Sequence, residues 1–177
     1  NIIGSCCGST PGFTRIIAEN LKNKKPRKRE FVVSPVVSDR ISMRRFGRRF
    51  PFLPIGERIN SSTNKKLSKT LKKKNYSVLR YETFSQTESG AGALDMNLDS
   101  IKSSLLDVEE IIHSIQNTSH IPLVLDSMKP EIFKEGFKYM AGKGILNSVM
   151  FQEEKLKLLI PIVKRFGVSV IGLAMGK

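Results

Sequence analysis

Cysteine is nearly absent from this chain of 177 residues: there are two, and they are neighbours, Cys6 and Cys7. Adjacent thiols do not readily bond each other, because the eight-membered ring forces the intervening peptide out of its relaxed geometry. A disulfide framework is therefore excluded, and a reducing, cytoplasmic setting is expected. Histidine is equally scarce, and His113 and His120 have no metal-ligand company. No apolar run approaches the roughly 20 residues that a membrane-spanning helix needs. No basic stretch followed by an apolar one opens the chain, so no secretory leader is expected. Acidic residues are outnumbered 16 to 30, and the deficit is local. Residues 1–80 hold 20 Lys and Arg against 4 Asp and Glu, whereas residues 81–177 hold 10 against 12.

What is present is the composition of a soluble globular protein, 40% hydrophobic and 26% charged, long enough for one domain with a real core. The basic runs lie at 22–29, 44–49 and 72–74. Such asymmetry is the footprint of a nucleic-acid-binding arm. No RNA-binding motif or aromatic stacking platform accompanies it, which favours a solvated linker and an exposed helix face. The two cysteines stand in a Gly-rich turn, Gly4-Ser-Cys-Cys-Gly8, and clustered thiolates suit a soft divalent metal such as zinc. Zinc needs at least three protein ligands, so the pair is either structural or part of a longer chain.

Along the sequence, residues 1–3 read as the end of a buried strand. Thr10-Pro11 reads as a helix start, followed by an apolar stripe of Phe13, Ile16, Ile17 and Leu21. From 22 to about 51 periodicity is lost among Pro, Ser and Arg, with a short extended stretch at 31–33. Then the pattern becomes regular. Strands are predicted at 52–55, 91–94, 122–125, 144–146 and 168–173, and helices at 65–73, 77–88, 105–115, 130–140 and 153–165. Short apolar strands alternating with helices predict a parallel, covered α/β sheet. Polar residues recur where strands end: Glu57 and Asn60, Asp95 and Asn97, Asp126, Asn147. In an α/β barrel that rim carries the binding groups, and the spacing matches about the first five strands of a (β/α)8 TIM barrel. An open five-stranded parallel sheet fits the same pattern.

The ordered strings Gly56-Glu-Arg-Ile-Asn60, Leu94-Asp-Met-Asn97, Leu125-Asp-Ser127, Ile145-Leu-Asn-Ser148 and Ile171-Gly-Leu-Ala-Met-Gly-Lys177 closely resemble the pterin-binding barrels of methyltetrahydrofolate methyltransferases. That family includes corrinoid-protein methyltransferases and the folate domain of cobalamin-dependent methionine synthase, with dihydropteroate synthase as a more distant relative. Gly4-Ser-Cys-Cys-Gly-Ser-Thr-Pro11 is similar to the end of a homocysteine-binding barrel. A homocysteine-barrel remnant at 1–22, a basic linker at 23–51 and a pterin barrel from 52 to 177 is the order of the cobalamin-dependent synthases. The resemblance implies an internal fragment of such an enzyme, inactive alone and prone to self-association through open sheet edges.

The chemistry implied is methyl transfer from 5-methyltetrahydrofolate through cobalamin to zinc-activated homocysteine. Cys6 and Cys7 match two zinc ligands, the third having no counterpart here, and cobalamin would be held by a separate module of the same enzyme. Asp126 and Asn147 match the residues that hydrogen-bond the pterin ring and support catalysis, and Glu57, Asn60 and Asn97 join them as substrate-binding candidates. For Asn97 and Asp95 a second reading stays open, in which they merely bond loop amides. A stand-alone methyltetrahydrofolate–corrinoid protein methyltransferase is the rival of the same class; a basic nucleic-acid-binding protein is the rival of another.

Overall fold

The computed structural model describes residues 2–28, 35–100 and 105–174. The extended stretch expected at 31–33, and the 175–177 end of the last family string, lie outside the described residues. The chain divides into two compact units, Asn1–Val33 and Ser34–Lys177.

The first unit carries helix α1, Pro11–Leu21, with Thr10 as N-cap and Pro11 in the first turn, where the missing N–H costs nothing. None of its residues is buried, and Phe13 and Ile16 of the apolar stripe are exposed. No strand forms at residues 2 and 3: Ile2 and Ile3 are both exposed, so the expectation of a buried strand there is corrected. An apolar run forms a buried strand only when neighbouring strands pair with it, and these residues have none among the described ones.

The second unit begins with a short antiparallel hairpin, β1 (Val36–Ser38) and β2 (Met43–Arg45). Asp39 closes it, accepting from the Ile41 and Ser42 amides at 2.7 and 2.9 Å. This stretch, read from the sequence as linker, is packed structure. Ser38 and Lys143 exchange bonds, Ser38 N–H to Lys143 O at 2.9 Å and Lys143 N–H to Ser38 Oγ at 2.8 Å. Val37 is buried against Ala93, Val124 and Ile145. Gly142, at φ +90°, lies so close that a Cβ would stand 2.3 Å from the Ser38 carbonyl oxygen.

The main sheet follows. Its strands are β3 (Ile55–Asn60), β4 (Ala93–Asn97), β5 (Leu123–Asp126), β6 (Ile145–Met150) and β7 (Ser169–Leu173). Between them run α2 (Lys65–Leu71), α3 (Ser77–Glu88), α4 (Leu105–Thr118), α5 (Pro130–Tyr139) and α6 (Glu153–Phe166). Among the described residues the strands are all parallel and lie side by side in chain order. The first strand starts at Ile55 rather than at the expected 52, and Phe52 is exposed, because prolines at 51 and 54 remove the ladder donors there.

Alternation along each strand sorts the two faces. Leu94, Met96, Leu123, Leu125 and Leu146 point to the helices, meeting Ile111, Ile112, Ile115, Phe133 and Ile162 in one core. Ala93, Val124 and Ile145 point the other way, onto Val37 of the hairpin. Consecutive strand order with the helical core on one face is what successive units of a (β/α)8 barrel give; a doubly wound sheet would reverse its order and carry helices on both faces. The α/β, partial-barrel fold expected from the sequence is the fold observed.

Candidate functional site

Strand register assembles the site. Asn60 pairs with Asn97, Asn97 with Asp126, and Asp126 with Asn147, so one row of polar residues crosses β3, β4, β5 and β6. In a parallel sheet, paired residues face the same side and neighbours sit about 4.8 Å apart. Two residues below Asn97, Asp126 and Asn147 lie Asp95, Val124 and Ile145, with Ala93 lower still, so beneath the polar strand ends this face is apolar except for Asp95. Asp126 and Asn147 share this rim and this face.

Each side chain of the row has a definite partner. Asn97 Nδ2 donates to Asp126 Oδ2 at 2.8 Å, and its Oδ1 accepts from the Asp99 amide at 3.2 Å. Asn147 Nδ2 donates to Asp95 Oδ2 at 2.9 Å. Asn60 Oδ1 accepts from the Ser62 and Thr63 amides at 2.9 and 3.2 Å, shaping the loop after β3. Asn60 and Asn97 thus carry part of the loop and carboxylate support, as the second reading of Asn97 allowed. For Asp95 that reading does not hold: its bond runs to a side chain two strands away, with no loop amide involved.

Glu57 lies on the same concave face, exposed on β3. It is set there by an irregularity of register between Gly56 and Ile59. Gln86 of α3 reaches into the bulge and its Oε1 accepts from Arg58 N–H at 2.9 Å. A Cβ at position 56 would lie 2.5 Å from that oxygen, so a larger residue there would push the Gln86 amide out of this bond. Arg58 turns to the helical side and pairs with the Glu82 carboxylate at 2.9 Å.

Asp95 is the buried charge of the site, 4% exposed. Burial pushes its carboxyl up to about 7, with the Asn147 amide opposing and the negative charges of Asp126 and Glu57 adding to the rise. The rim is tied together outside the row. Asp99 accepts from the Met128 amide at 2.8 Å and from the Ser127 hydroxyl, joining the loops after β4 and β5. Ser127 in turn accepts from the Lys129 amide at 3.0 Å, and Ser100 Oγ meets Ser61 Oγ at 2.7 Å. Asp99 and Ser100 were missed as support residues; the signal was there in the Asn97-Leu-Asp-Ser100 string, where a strand-end Asn is followed two residues on by an acid.

Cys6 and Cys7 are both free and exposed in the first unit. Among the described residues no group of three Cys, His, Asp or Glu side chains is arranged to hold a metal. Two thiolates alone do not make a zinc centre. His113 packs edge-on against Tyr139, with ring centroids 5.8 Å apart, and takes no part in the rim.

In a (β/α)8 barrel the strand-end rim is where binding and catalytic groups gather, and here that rim carries amides and carboxylates. The chain belongs to the pterin binding enzyme family, which it matches over residues 56–177. Among solved structures it is similar to Xanthomonas albilineans dihydropteroate synthase in complex with indole-2-carboxylic acid and 6-chloroguanine, at 18% identity and a TM-score of 0.44. The match covers 73% of this chain and 47% of that one, so the chain spans about half that protein's length. No helix among the described residues is long and apolar enough to cross a membrane.

Proposed function

We propose that the second unit binds a reduced pterin of the 5-methyltetrahydrofolate class, and that the chain is part of a cobalamin-dependent methionine synthase. The observation carrying the first part is the pairing of Asp126 with Asn147 on one rim, each already bonded on its inner side. With Asn97 on one oxygen, Asp126 keeps its other oxygen for a ligand. With its nitrogen on Asp95, Asn147 offers its carbonyl oxygen. Glu57 adds a further carboxylate. The rim therefore presents acceptors, and a reduced pterin edge presents the complementary donors: the 2-amino group, N3–H and N8–H.

Methyl transfer from N5 needs hydrogen bonding or protonation there, since an amide-like anion leaves badly. The rim's part is to bind and orient the ring so that N5 faces the acceptor. The second part of the proposal rests on sequence resemblance: the Gly4-Ser-Cys-Cys-Gly8 string, the basic segment and the pterin strings in that order. In that enzyme zinc would deprotonate homocysteine and cobalamin would carry the methyl group. Cys6 and Cys7 supply at most two zinc ligands, and no described residue is assigned to cobalamin.

Calorimetric titration of the chain with 5-methyltetrahydrofolate tests the reading, with p-aminobenzoylglutamate, which lacks the pterin, as control. Saturable binding of the first and none of the second is expected; equal binding of both, or of neither, contradicts it.

A further inference from the structure

An asparagine amide is ambiguous as a recognition element, because rotation by half a turn exchanges a donor for an acceptor in nearly the same place. At position 147 the exchange is blocked from behind. Asp95, on the concave face of β4 and almost wholly buried, receives the Asn147 nitrogen at 2.9 Å across the width of β5. Turning the amide over would set its oxygen against a carboxylate oxygen. We propose that Asp95 is a positioning residue that fixes the polarity of Asn147, so that this place on the rim accepts from a ring N–H and rejects a ligand bearing an acceptor there. The ligand's identity rests on the pterin reading above; the orientation itself does not.

The surroundings explain why a carboxyl group can act here. Glu57 faces it from β3 and Asp126 from β5, β6 supplies only the Asn147 amide, and Val124 and Ile145, level with it, join Ala93 and Val37 in an apolar cluster. No cation shares the pocket among the described residues, so the Asp95 charge depends on that single amide donor. A group so placed changes protonation near neutrality and couples its state to Asn147.

The test compares the parent chain with Asp95→Asn and Asp95→Ala. Asparagine at 95 can turn over together with Asn147 and so no longer fixes its polarity; it should weaken binding of 5-methyltetrahydrofolate, though less than alanine does, while abolishing any dependence on pH around 7. Alanine leaves Asn147 unheld and should weaken binding about tenfold or more. A ligand-free arm follows the side-chain amide resonance of Asn147 by 15N NMR, assigned by its loss in Asn147→Ser. It should titrate near neutrality in the parent and not in Asp95→Asn. A flat resonance in the parent overturns the proposal, as do equal affinities and pH profiles in all three chains. If Asp95→Ala fails to fold, the Asp95→Asn profile and the resonance decide alone. A titrating resonance in a chain that binds no folate refutes the pterin reading and leaves the positioning role standing.

Discussion

Asn147 on β6 donates its side-chain nitrogen to Asp95 on β4 over 2.9 Å, passing the whole of β5. In a flat sheet these strands would lie about 10 Å apart, beyond the reach of two short side chains. The bond closes only because the sheet curls inward there, which is the curvature a barrel requires. The same contact therefore reports the fold and organises the site.

Asp95 gives the chain an unusual stability profile. Its carboxyl titrates at about 7 in the folded chain, against 3.8 as the ordinary value. Between those values the folded state holds a proton that the unfolded state has lost, so stability falls as pH rises through this window and levels off above it. Asp95→Asn removes the step. The variant's urea-unfolding free energy, relative to the parent's, should rise on the order of 4 kcal/mol from the acid to the neutral end. Parallel profiles would contradict the buried, near-neutral carboxyl.

Gly142→Ala should loosen the hairpin. Its positive φ and the 2.3 Å approach to Ser38 O leave no space for a methyl group, and the contact is with backbone that cannot step aside. A loss of more than about 2 kcal/mol in denaturant unfolding is expected. A neutral effect would mean the hairpin is not docked under the sheet.

Phe133→Ala tests the helical face of the sheet. Phe133 is fully buried on α5 and stacks on Phe137 at 6.1 Å between ring centroids. Truncation should cost about 3–5 kcal/mol, read as a lowered urea midpoint.

The cysteine pair should behave as free thiols. Both should react with a disulfide reagent in the native chain, and excess chelator should leave the unfolding temperature unchanged, since two thiolates are not a zinc centre. Protected thiols with a chelator-sensitive transition would reveal a third ligand.

The strand ends were legible because burial and polarity alternate there. Leu123–Asp126 reads as apolar strand then acid, and it is one. The row Asn60, Asn97, Asp126, Asn147 follows from placing each polar residue at the same height. The hairpin was not legible: its strands are three residues each, Val37 is their one buried side chain, and Arg44 and Arg45 look like linker charge. Asp95 was only half legible. Its partner is two strands away, and a pairing set by sheet curvature leaves no trace in local spacing.

The affinity of Asp126→Ala for 5-methyltetrahydrofolate, beside the parent's, is the most direct test of the pterin site. Losing a charge-assisted acceptor should weaken binding roughly thirtyfold or more while the unfolding transition persists. Undiminished affinity in the folded variant would contradict a rim on which Asp126 holds the ring.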